Sequence, residues 1–168
     1  TLNDLQKFDL LLVPKPTEPF TDAQKQVVDQ YIMNGGRAFW LIDNVAVSLE
    51  DMYKTGGMTM AMPINLNLTD MFFQYGFRIN YTLINDLYFS EIIVATGDGS
   101  QTRYMPIPWV YNPLVISGNN HLINNHLDAV RFQFANSIDT LKNGVKKTVL
   151  LASSPFSKAD GTPREINL

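Results

Sequence analysis

The order strand, helix, strand near the start of the chain limits its fold more than any other feature. Phe8-Asp9-Leu10-Leu11-Leu12-Val13 is a short apolar run stopped by Pro14 and Pro16, the pattern of a strand buried on both faces. Thr21 is placed to cap a helix that continues through Ile32, with Ala23, Val27, Val28, Tyr31 and Ile32 on one face and Gln24, Lys25, Asp29 and Gln30 around the other. Asn34-Gly35-Gly36 stops the helix, and Arg37-Ala38-Phe39-Trp40-Leu41-Ile42-Asp43 reads as a second buried strand. Such a unit of about 35 residues is a βαβ crossover, which implies a parallel strand pair. The expected core is a sheet holding Leu10, Leu12, Phe39, Leu41, Val149 and Leu151, with a helix over residues 22–33 packed on it.

The rest of the chain is expected to extend this plan as one α/β domain spanning residues 1–168. Residues 44–65 carry Gly56-Gly57 and four methionines, Met52, Met58, Met60 and Met62. Methionine serves either as gap-filling core or as adaptable contact surface, and core packing is the expectation. Residues 69–75 read as a short helix ended by Gly76, leading into a strand at Phe77-Arg78-Ile79. Runs at 92–96 and 102–107 flank Gly97-Asp98-Gly99-Ser100, a hairpin signal because Asp-Gly pairs accept positive φ. Residues 130–134 alternate as a strand, and Lys147-Thr148-Val149-Leu150-Leu151-Ala152 reads as a last buried one.

Composition removes whole classes of function. Lys and Arg number 13 against 16 Asp and Glu, a formal charge of −3 with no like-charge run, so the clustered basic face that nucleic acid demands is missing. No cysteine is present, which excludes disulfides, thiolate metal sites and a Cys nucleophile. The apolar runs fall well short of the roughly 20 residues of a membrane helix. The chain reads as an excised piece of a longer protein.

No motif carries evident chemistry. His121 and His126 are five apart, which on a helix points them to different faces and makes a poor metal pair. A triad of Ser153 or Ser154 with His121 and Asp43 lacks the GxSxG elbow that would expose the serine. Asn67-Leu68-Thr69 and Asn80-Tyr81-Thr82 match a glycosylation sequon too short to weigh. No cofactor and no metal is therefore expected. What remains is placement: in an open parallel sheet, ligands bind beyond the carboxyl ends of strands, and there stand Lys15, Asp43, Asn44, Ser153 and Ser154. They are candidates for a small polar ligand or a partner loop, although Asp, Asn and Ser in such places also serve as caps and turns. Trp109 and Tyr111, on a segment stiffened by Pro106, Pro108 and Pro113, form a second candidate contact surface, with packing under the hairpin as the alternative.

The residues also resemble a known family. Phe8-Asp9-Leu10-Leu11-Leu12-Val13-Pro14-Lys15-Pro16, Asp29-Gln30-Tyr31-Ile32-Met33-Asn34-Gly35-Gly36, Trp40-Leu41-Ile42-Asp43, Asn65-Leu66-Asn67-Leu68, Tyr75-Gly76-Phe77-Arg78-Ile79-Asn80, Phe134-Ala135-Asn136-Ser137-Ile138-Asp139 and Ser153-Ser154-Pro155 are similar to the extracytoplasmic region of gliding-motility-associated ABC transporter auxiliary or substrate-binding proteins, the GldG family. The resemblance implies a membrane-anchored protein with this region at the periplasmic face of the inner membrane, and ABC permease and ATPase subunits as partners. It also implies a flavodoxin-like or class I glutamine-amidotransferase-like three-layer fold with a mostly parallel sheet, into which the hairpin is inserted. That amidotransferase fold places a Cys at its nucleophile elbow, so here it brings architecture without the chemistry. The function so implied is a non-catalytic binding or scaffolding domain, with a serine-dependent hydrolase or a spacer between membrane anchors as rivals.

Overall fold

A computed structural model describes residues 1–97, 101–117 and 121–168. The turn at Asp98-Gly99-Ser100 lies outside the described residues. The chain divides into two compact units, one of Thr1–Tyr81, Ile138–Lys147 and Thr162–Leu168, the other of Thr82–Ser137 and Thr148–Gly161.

The first unit opens with α1 (Leu2–Leu5), then β1 (Leu10–Pro14), α2 (Asp22–Met33) and β2 (Arg37–Leu41). The βαβ reading holds here. Thr21 caps α2 in a reciprocal box with Gln24, Gln24 N donating to Thr21 Oγ1 and Thr21 N to Gln24 Oε1. Gly35, at φ 93°, supplies the left-handed turn that ends it. β1 and β2 then pair in parallel, Leu12 opposite Phe39 and Pro14 opposite Leu41. After β2 come β3 (Val45–Ala46), α3 (Leu49–Lys54), β4 (Met58–Pro63), α4 (Thr69–Gln74) and β5 (Phe77–Ile79).

The second unit holds β6 (Thr82–Asp86), the hairpin of β7 (Ile92–Thr96) and β8 (Arg103–Ile107), β9 (Leu114–Val115) and β10 (Val130–Arg131). β11 (Ile138–Thr140) belongs to the first unit, where it pairs antiparallel with β5. β12 (Ser157–Gly161) pairs antiparallel with β6 in the second, and β13 (Arg164–Asn167) joins β4 and β3 in the first.

This architecture corrects the expected flavodoxin-like, amidotransferase-like three-layer fold. Among the described residues β1–β2 is the one parallel pair, and the other sheets are small and antiparallel. A parallel connection needs a dozen or more residues, usually a helix. After α2 no described helix exceeds six residues, so later strands pair back on themselves or with distant segments. Residues 147–152 form no strand. Asn124 Nδ2 instead donates to the Leu150 carbonyl at 2.5 Å.

The expected core also needs correction. Leu10, Leu12, Phe39, Leu41 and Val149 are exposed, and Leu151 is half-buried. In parallel register the first four share one sheet face with Pro14 and Arg37, while Leu11, Val13, Ala38 and Trp40 face inward, half-buried. The core of the first unit is Leu66, Leu68, Met71 and Phe72, packed by Phe20, Trp40, Ile42 and Phe77. Trp40 meets the edge of Phe72 at 5.2 Å between centroids, and Phe72 stacks on Phe77 at 4.8 Å.

Candidate functional site

β1 ends in Pro14-Lys15-Pro16, and the prolines leave its chain little freedom. Lys15 nevertheless sits at φ 45°, in the left-handed region. A non-glycine residue there is uncommon, and one preceding proline is further disfavoured. Its amide donates to the Leu41 carbonyl at 2.8 Å, one more rung beyond the β1–β2 ladder. The bend turns the side chain so that Nζ lies 2.8 Å from Asp43 Oδ2. Both charges are substantially exposed, so the pair adds little stability. Strain of this kind is characteristic of functional positions.

Lys15 and Asp43 are among the residues lining a groove of about 400 Å³. Pro16, Val45, Val47, Met60, Met62 and Ile64 give it apolar walls, and Thr17, Ser48 and Asp51 add polar groups. Two of the five residues expected at strand ends therefore come together around one concavity. Asn44 is buried beside them and turned inward, its Nδ2 donating to the Ile79 carbonyl at 2.9 Å. Its work there is to hold β5 in place.

Ser153 and Ser154 belong to the second unit and follow no strand. Ser154 Oγ donates to Asp86 Oδ1 at 2.5 Å and its amide to Oδ2 at 2.8 Å, while Ser153 Oγ bonds Ser157 Oγ at 2.7 Å. Burial pushes the Asp86 carboxyl up, but the Ser154 hydroxyl and the amides of Tyr88, Ser154 and Leu87 outweigh it and hold it below the usual carboxylate range. An ionised, buried Asp86 thus anchors the serine turn to β6. Both serines also line an apolar cavity of about 490 Å³ with Leu87, Tyr88, Leu114 and Ile116.

Trp109 and Tyr111 are only 5% and 7% exposed. Their rings lie 5.7 Å apart and both approach Phe134, at 6.4 and 6.1 Å. Tyr111 OH donates to Asp160 Oδ2 at 3.2 Å. This is the packing arrangement, a core in the second unit.

The first unit also holds a polar knot that no sequence motif announces. Lys25, on α2 and nearly buried, lies 2.8 Å from Asp70, 3.1 Å from Asp22 and 3.4 Å from Asn67 Oδ1. Asn67, at φ 56°, donates in turn to the Phe20 carbonyl at 2.7 Å. The knot fastens the loop before α4 to the start of α2. Hydrogen bonds from Lys25 hold Asp22 and Asp70 below the usual carboxylate range, and the same bonds push Lys25 up. Only the recurrence of Asn65, Asn67 and Asp70 between apolar residues marked it in the sequence.

Among the described residues no three His, Asp or Glu side chains gather as a metal cluster, and no helix is long and apolar enough to cross a membrane. No curated protein and no solved structure matches the chain significantly. A family model does, over residues 1–168, and the chain accordingly belongs to the ABC transport auxiliary family described as an ABC-type uncharacterized transport system.

Proposed function

We propose that this chain is a non-catalytic binding or scaffolding domain of an ABC transporter auxiliary protein. It works at the periplasmic face of the inner membrane beside the permease and ATPase, in the manner of the gliding-motility-associated proteins that its motifs resemble. One observation carries the reading: the transport-family match runs through the whole chain, residues 1–168. The engagement of Ser153 with Ser157 and of Ser154 with Asp86 supports a structural role for both serines over a nucleophilic one.

The groove that residues beyond the ends of β1 and β2 line together with β3 and β4 is the contact site in this reading. A strained lysine paired with an exposed aspartate in the lining of an apolar concavity suits a partner loop or small polar ligand, which orients on the charges and buries its apolar part below. A photo-crosslinking residue placed at Thr17, inside the groove, tests this in cells that make the whole transporter. The expected product joins this chain to the permease or the ATPase. Equal crosslinking from Tyr104, an exposed position of β8 in the second unit, or none from Thr17, would overturn the groove as the contact site.

A further inference from the structure

Met58, Met60 and Met62 alternate along β4 and are 52%, 50% and 47% exposed, while Ala61 between them is fully buried. Strand side chains alternate faces, so the three thioethers lie in one row, with neighbours about 6.6 Å apart at the backbone. A sheet face that meets only water ordinarily carries polar residues, and this one carries sulfur three times. Glu165 of β13 lies directly opposite Met60 in the antiparallel register and is exposed on the same face. Met60 and Met62 also line the strand-end groove, which holds two aspartates, Asp43 and Asp51, against the single lysine Lys15.

A thioether is a soft, neutral donor, and soft donors select Cu(I) over Zn(II), Mg(II) or Ca(II). Methionine's three rotatable bonds let two sulfurs on alternate residues close on one ion. Nearby carboxylates favour a cation in the same place. The chain has no cysteine to compete for it. We propose that Met60 and Met62, with Met58 as a further donor, form a surface site for a soft monovalent metal ion, Cu(I), with Glu165 supplying negative charge beside it. The inference goes beyond the docking reading and does not rest on it.

The test uses the whole chain with labelled methionine methyl groups, titrated with Ag(I) as a redox-silent probe and with Cu(I) kept reduced under ascorbate. The methyl signals of Met58, Met60 and Met62 are expected to move together and saturate at one ion per chain, while Zn(II) leaves them in place. Replacing Met60 and Met62 together by Leu keeps size and apolarity, and it is expected to weaken Ag(I) binding at least about tenfold. Met33→Leu, on the exposed side of α2, is expected to change nothing. No methyl shift at Ag(I) up to about 100 μM, equal shifts at Met33 and Met105, or unchanged affinity in the double variant would each overturn the site. Because the Leu variant preserves the apolar wall of the groove, loss of Ag(I) binding with retained crosslinking from Thr17 separates the metal site from partner docking.

Discussion

Phe72 in the first unit and Asp86 in the second are both buried, yet rings surround one and hydrogen-bond donors the other. Around Phe72 the first unit gathers Trp40, Phe77 and the leucines of the loop before α4. Of its polar groups the Lys15–Asp43 pair stands at the surface, while Lys25 and Asn44 are buried and bonded beside this ring cluster. The second unit places polar groups inside: Asp86 takes Ser154 and the Tyr88 amide, Asp160 takes Tyr111, and Asn124 takes the Leu150 carbonyl. Exposed apolar side chains occur in both units, on the β1–β2 face and the methionine row in the first and at Tyr104, Ile116 and Leu122 in the second, so the contrast lies in how the interiors are held. The second unit uses its polar side chains to fix the irregular stretches between its ladders.

The largest expected effect tests the ring-built core. Phe72→Ala should cost about 3 to 5 kcal/mol in denaturant unfolding, because stacking on Phe77 and the Trp40 edge contact vanish and a cavity is left. A loss under about 1 kcal/mol would show that the aromatic cluster does not hold the first unit.

Asp86→Ala tests the polar-built core and should cost about 2 kcal/mol, since it leaves the partly buried Ser154 and Tyr88 donors without their acceptor. The same carboxylate sets a pH dependence. Its folded pKa is depressed, so its stabilisation is complete above the unfolded value near 3.8 and is lost as pH falls through the folded value. Acid unfolding of Asp86→Asn should therefore be flatter below about pH 4 than that of the parent. Parallel acid limbs would remove Asp86 from the account.

A smaller effect separates inner from outer faces of β1. Leu12 is half exposed, so Leu12→Ala should cost about 1 kcal/mol or less, whereas a strand buried on both faces would lose about 2 to 5. The larger figure, measured on the isolated chain, would mean that this face is covered after all.

How much of this was legible follows from where each signal resides. The capping residue Thr21, the stop at Gly35 and the two flanking apolar runs are local, and β1, α2 and β2 form where these signs place them. The alternation of Met58, Met60 and Met62 is in the sequence, but only the structure shows that its face is outward. Leu10-Leu11-Leu12 reads the same whether one sheet face or both are covered, because a short apolar run carries no record of its partners. The run at 147–152 failed for that reason. Pairings such as β4 with β13, Asp86 with Ser154 and Lys25 with Asp70 join residues 45 or more apart, and no local pattern announces them. Lys15 and Asp43 stand together at the groove because both follow strands whose ends can be located from sequence. Asn44 and the two serines occupied similar places in the chain but proved to be fastenings.

In the proposed function, the strained Lys15 and its partner Asp43 meet a transporter component at the groove. Lys15→Gly tests it most directly, because glycine adopts φ 45° without the steric cost that lysine bears. The measurement is the affinity of this variant for the purified permease–ATPase complex, alongside its unfolding free energy. Stability within about 1 kcal/mol of the parent is expected together with at least about tenfold weaker binding. Undiminished binding by an equally stable Lys15→Gly chain would contradict the proposed contact.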